Sequence, residues 1–90
     1  MSVMRDRKVM KNVYSIGAVS RVTGVNIHTL RYWTDIAFVE VLQPVRTVGG
    51  QRRFSEQDVA QVFKVKQLMS EGNLTPSGIV KQLQQEAAAA

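Results

Sequence analysis

Ninety residues, 44% of them apolar, suffice for one small hydrophobic core and little more. Twelve Lys and Arg against seven Asp and Glu leave a net charge of +5, which favours an anionic partner. The absence of cysteine excludes a disulfide framework and a thiolate metal site, and no apolar run is long enough to span a bilayer, so a cytoplasmic, nucleoid-associated protein with no membrane partner is expected.

Residues 1–13 hold Arg5, Arg7, Lys8 and Lys11 against Asp6 alone and read as a flexible basic arm. No apolar run follows these charges, so the arm is not a secretory signal. Ser15 is placed to cap a helix over residues 16–23, with Ile16, Val19 and Val22 recurring every third residue. Gly24 ends it, since glycine accepts the left-handed backbone that closes a helix. Asn26 caps a second helix over about residues 26–35. With about 100° per residue, Ile27, Leu30, Trp33 and Thr34 face one side, and His28, Thr29, Arg31 and Tyr32 the other. Two short helices joined by a tight glycine turn, the second polar and basic on its free face, form the helix-turn-helix pattern.

Phe38-Val39-Glu40-Val41-Leu42 is an apolar connector expected to fold back onto the core. Pro44 directs an extended path into Val45-Arg46, Thr47-Val48-Gly49-Gly50 supplies a turn, and Gln51-Arg52-Arg53-Phe54 returns as a second strand. Ser55 and Asp58 have capping-box spacing and open a third helix with Val59, Val62, Val65 and Leu68 on one stripe. Gly72 stops it, and Thr75-Pro76 starts a fourth helix that buries Ile79, Val80 and Leu83. The expected fold is mainly α: a four-helix winged helix-turn-helix with a small two-stranded β wing, spanning residues 14–85. Residues 86–90 are expected to be an alanine-rich tail.

These residues point to double-stranded DNA. Phosphate neutralisation falls to Arg31, Arg46, Arg52 and Arg53, a hydroxyl contact to phosphate to Tyr32, and base reading to Asn26, His28 and Thr29. Adjacent strand residues point to opposite faces, so one of Arg52 and Arg53 meets DNA while the other packs or pairs inside; Arg52 is the favoured phosphate contact. Arg31 has an alternative partner in Asp35, four residues on. Trp33, on the apolar side, reads as core. His28 is the only histidine and lacks a second imidazole or a thiolate, so neither a metal nor a cofactor is expected. No nucleophile–base pairing, phosphate-binding glycine loop or carboxylate cluster is present, so the chain does not read as an enzyme.

The runs Tyr14-Ser15-Ile16-Gly17, Thr23-Gly24-Val25, Thr29-Leu30-Arg31-Tyr32-Trp33, Gly50-Gln51-Arg52, Phe54-Ser55, Asp58-Val59 and Glu71-Gly72 occur in an order and spacing that resembles the MerR family of bacterial transcription regulators. The resemblance covers roughly residues 13–83. It implies that the second helix enters the major groove, that Arg31, Tyr32 and Arg52 contact DNA backbone, and that His28 approaches bases. It also implies a homodimer on an inverted repeat in a promoter or operator, acting indirectly on RNA polymerase by distorting DNA. Trp33 stands where a second tyrosine is commoner in the family, and Asp35 and Ala37-Phe38 replace its usual Glu and Gly-Leu. The long dimerisation helix of the family does not appear after the fourth helix, which is consistent with a severed reading head or with a minimal member that dimerises otherwise. The alternatives to a regulator are an excisionase-like architectural DNA-binding protein and a protein-binding adaptor on the same fold; an exposed apolar patch around Ile79 and Leu83 would favour the adaptor.

Overall fold

In the computed structural model, which describes residues 13–89, a short strand β1 (Val13–Ser15) runs directly into helix α1 (Ile16–Thr23). Ser15 stays extended and its Oγ accepts the Ala18 N–H at 3.1 Å, satisfying one of the helix's free donors. Gly24 closes α1 at φ 76°, with its N–H on the Ser20 carbonyl at 2.8 Å. Helix α2 (Ile27–Tyr32) starts at Asn26, whose Oδ1 accepts the His28 N–H at 2.8 Å.

The second helix does not continue regularly to Asp35. After Tyr32 the backbone widens into a π-helical turn (Trp33–Ala37). There the buried Thr34 hydroxyl sits 2.9 Å from the Leu30 carbonyl and 3.2 Å from that of Arg31, back-bonding that competes with the regular ladder. The connector then folds back as expected, with Phe38 and Leu42 buried.

The wing comprises β2 (Val45–Arg46) and β3 (Arg52–Ser55). Its turn closes through the Gly50 N–H to the Thr47 carbonyl at 2.9 Å, with Gly50 at φ 86°. The sheet has three strands where two were expected: β1 pairs with the far edge of β3, in the order β1-β3-β2, all antiparallel. A three-residue strand is too short to display an alternating pattern, so it carries no periodic signal. Val13, assigned above to the basic arm, therefore lies in the sheet opposite Ser55. The rest of that arm, residues 1–12, lies outside the described residues.

Helix α3 (Glu56–Glu71) opens on a reciprocal capping box: Ser55 Oγ accepts the Asp58 N–H at 3.0 Å, and Asp58 Oδ2 accepts the Ser55 N–H at 2.8 Å. Helix α4 (Pro76–Ala89) follows Thr75, whose Oγ1 accepts the Gly78 N–H at 3.2 Å. It runs through residues 86–89, most of the stretch that was expected to form a separate tail. Alanine needs no packing partner to extend an existing helix, because it has the most favourable helix propensity.

The core gathers around Leu30, Phe38, Phe54, Val62, Val65 and Ile79, all fully buried. Trp33 packs edge-on to Phe38 with ring centroids 5.6 Å apart. One member of the predicted α1 stripe is misplaced: Val22 is 60% exposed, while Thr23 is buried. A repeat of three residues falls about 60° short of a full turn at each step, so its third member leaves the face and the residue at i+7 takes its place. Thr23 then satisfies its hydroxyl internally, donating to the Val19 carbonyl at 2.7 Å and accepting the Val25 N–H at 3.2 Å. From α3, Lys66 Nζ donates to the Thr23 carbonyl at 2.7 Å and so ties off the end of α1. No helix among the described residues is long and apolar enough to cross a membrane.

Candidate nucleic-acid interface

The free face of α2 is set by what its other face buries. Leu30, with Trp33 and Thr34 in the following turn, anchors the segment in the core, which leaves His28, Arg31 and Tyr32 exposed. Among the described residues neither His28 nor Arg31 uses its side chain in a hydrogen bond or ion pair. Thr29 is half-buried at the edge of this face. Asn26 spends its carbonyl oxygen on the helix cap, which leaves its amide N–H groups facing outward as donors.

Asp35, on the π-helical turn, joins this face to the wing. Its Oδ1 accepts Arg46 Nη2 at 2.8 Å and its Oδ2 accepts Arg52 Nη2. Arg52 Nε also donates to Thr34 Oγ1 at 2.9 Å, and Arg46 Nη1 reaches the Gly50 carbonyl at 3.3 Å. The hydrogen bond from Arg52, with the positive charges of Arg52 and Arg46 behind it, holds the Asp35 carboxyl below the usual carboxylate range. The alternative Arg31–Asp35 pair does not form; Asp35 pairs with the two wing arginines instead.

The two strand arginines are distributed in the reverse of the expected way. The Arg52 side chain is only 11% exposed and pairs inward. Arg53 lies on the other face of β3, opposite Ser15 on β1 and Val45 on β2. Its guanidinium donates to the Arg52 carbonyl at 3.1 Å and to Gln51 Oε1 at 2.9 Å. The signal was present in the sequence: Arg52 is two residues before Phe54, so an inward Phe54 carries Arg52 to the core side.

Arg31 and Arg53 meet instead across an open cleft of about 330 Å³, walled by Ser15 and Ile16 at the start of α1 and by residues 49–53 of the wing. The positive end of the α1 dipole adds to the two guanidiniums there. Such a concavity suits a phosphate group. Among the described residues, no three His, Asp or Glu side chains come together as a metal site.

Residues 14–86 match the model of the MerR HTH family regulatory proteins. The chain belongs to the MerR family. Over 74 residues it is 30% identical to the putative heat shock protein HspR of Streptomyces coelicolor, a match covering 82% of this chain and 47% of that protein. Over 62 residues it is 31% identical to the HTH-type transcriptional regulator TnrA of Bacillus subtilis, covering 69% and 54% respectively. The chain thus spans about half the length of the curated relatives it matches. Among solved structures it is similar to a MerR family transcriptional regulator from Bacillus cereus, with TM-score 0.64 and 22% identity over 80% of this chain and 52% of that one. It is also similar to HiNmlR, a MerR family regulator lacking the sensor domain and bound to promoter DNA, with TM-score 0.68 and 17% identity over 87% and 57%.

In this MerR chain, then, His28, Arg31 and Tyr32 share the exposed face of α2, Asn26 and Thr29 border it, and Arg53 faces Arg31 across the cleft. Arg46 and Arg52 form a separate group on Asp35. Asp35 and Thr34 were not foreseen as the hub of that group. The register around the wing turn, which sets Arg46 opposite Arg52, is the feature that demands an anion between them.

Proposed function

We propose that this MerR chain is the sequence-reading head of a transcription regulator that binds double-stranded DNA, with α2 in the major groove and the wing on the flanking backbone. The observation that carries this reading is the joint exposure of His28, Arg31 and Tyr32 on a helix whose opposite face is anchored in the core, beside a cleft shared by Arg31 and Arg53. His28, with the Asn26 amide and Thr29, reads base edges; Arg31, Tyr32 and Arg53 hold phosphates. The reading involves no enzymatic step and places the protein inside the cell, on promoter or operator DNA. A homodimer on an inverted repeat would act on RNA polymerase through the shape of the DNA. The promoter DNA bound to HiNmlR and the regulator TnrA support the same assignment. The exposed apolar patch that would favour the adaptor is not found around Ile79 and Leu83, which are both buried.

Selection of bound sequences from a random duplex pool, followed by affinity for the winner across salt concentrations, tests the reading. Enrichment of a defined sequence, with affinity falling steeply as salt rises, is the expected outcome. An inverted repeat would identify a dimer and a half-site a single head. Weak binding with no enrichment would overturn sequence reading.

A further inference from the structure

We propose that Asp35 is a positioning residue for DNA binding: it fixes the angle between the wing and α2 through Arg46 and Arg52, and Arg52 acts on DNA through Asp35 rather than by touching phosphate. The inference rests on the DNA-binding function proposed above.

Arg46 and Arg52 are direct partners in the β2–β3 ladder, so their side chains leave the wing on one face. Like charges directly opposite in a ladder repel. Asp35 supplies the anion that resolves this, giving one carboxylate oxygen to each strand. Each strand of the wing is therefore tied to one carboxylate on the turn that continues α2. One further bond strengthens the tether, and another braces the wing itself. Arg52 Nε is held by the buried Thr34 hydroxyl at 2.9 Å, and Arg46 Nη1 reaches round to the Gly50 carbonyl at the wing tip at 3.3 Å.

Accessibility separates the two arginines. The Arg46 side chain is 47% exposed and can shift toward a ligand, whereas that of Arg52 is 11% exposed. Nε and Nη2 of Arg52 are committed to Thr34 and Asp35, and only Nη1 is left without a partner among the described residues, on a side chain largely closed to solvent. Arg53 points to the opposite face of β3, lines the cleft with Arg31, and is held only by the Arg52 backbone carbonyl and the exposed Gln51 side chain. The wing thus separates its two tasks by strand alternation, with alignment on the Arg52 face and contact on the Arg53 face.

Two measurements on the full chain test this. In the first, affinity for the selected duplex is followed across salt for wild type, Asp35→Asn, Asp35→Glu, Arg52→Ala and the Asp35→Asn/Arg52→Ala double variant. Asp35→Asn and Arg52→Ala should each weaken binding at least about threefold, and the double variant no further than the worse single, because both break one tether. The slope of log affinity against log salt should stay that of wild type, and Asp35→Glu, which keeps the carboxylate, should recover most of the loss. A slope shallower by about 1 in Arg52→Ala would mean a lost phosphate contact and overturn the proposal. Multiplying losses in the double variant would overturn it too. In the second, without DNA, residual dipolar couplings of the wing amides relative to those of α2 are compared between wild type and the isosteric Asp35→Asn. A changed wing orientation, or loss of a single one, is expected; identical couplings would refute the positioning role. Wild type that binds no duplex would sink the DNA reading, and the couplings would still decide the tether.

Discussion

Replacing Gly24 by alanine tests whether the turn between α1 and α2 is as constrained as it looks. Gly24 sits at φ 76°, where an L side chain costs about 1–2 kcal/mol from its own backbone contacts. A Cβ there would also lie 3.2 Å from Lys66 Nζ, so the ammonium must yield slightly while holding the Thr23 carbonyl at 2.7 Å. The lysine stem is flexible, and this second effect adds a few tenths of a kcal/mol at most. The expected total is therefore about 1–2 kcal/mol, a sizeable part of the roughly 4–14 kcal/mol typical for a chain this long. It corresponds to a fall in Tm of roughly 4–16 °C. Trp33, the single tryptophan, is buried against Phe38, so urea unfolding followed by its fluorescence reads the change directly. Gly24→Asn should cost less, since asparagine visits the left-handed region more readily. Lys66→Met should leave only the backbone part of the alanine cost. An alanine variant within a few tenths of a kcal/mol of wild type, or no worse than the asparagine variant, would refute the reasoning.

Ser55→Ala removes one arm of the capping box and should lower stability by about 1 kcal/mol, measured by the same urea titration; no change would mean that the sheet alone fixes the start of α3. Arg31→Ala should weaken binding evenly across DNA sequences and shallow the salt slope by roughly 1, whereas His28→Ala should relax preference at one or two base pairs of the selected site. Uniform loss on all sequences in the His28 variant would exclude base reading by that residue. Because Arg52 holds the Asp35 carboxyl below its ordinary value of 3.8, the native state favours the ionised form. Its contribution to stability is thus complete above the unfolded pKa and is lost as pH falls through the folded one. The half-exposed carboxylate makes that contribution small. The stability gap between wild type and Asp35→Asn should narrow as pH drops below about 4, and a gap that widens would reverse the sign of the argument.

The helices were legible because each carries its own punctuation. Ser15, Asn26, Ser55 and Thr75 all accept the backbone N–H expected of a cap, and Gly24 and Gly72 both stop their helices at positive φ. Features that depend on tertiary partners were not legible. β1 exists only because β3 offers it an edge, and the π-helical turn answers to Thr34 and the wing behind it. The exposed face of α2 followed from helical geometry, so His28, Arg31 and Tyr32 lie where expected. The wing arginines were harder. Strand alternation says that Arg52 and Arg53 diverge, but only the burial of Phe54 says which of them turns inward.

Both strand–helix junctions of the sheet have no linker at all. Ser15 and Ser55 are each the last residue of a strand and the cap of the next helix. Chain length is therefore pinned at these points in a way it is not at the wing tip. One residue added after Ser55 would advance every side chain of α3 by about 100° about its axis and swing Val62 and Val65 out of the core. An addition within residues 47–50 would only lengthen an exposed turn. The wing can thus vary in reach while its root, and with it the orientation of α1 and α3, stays in phase with the sheet.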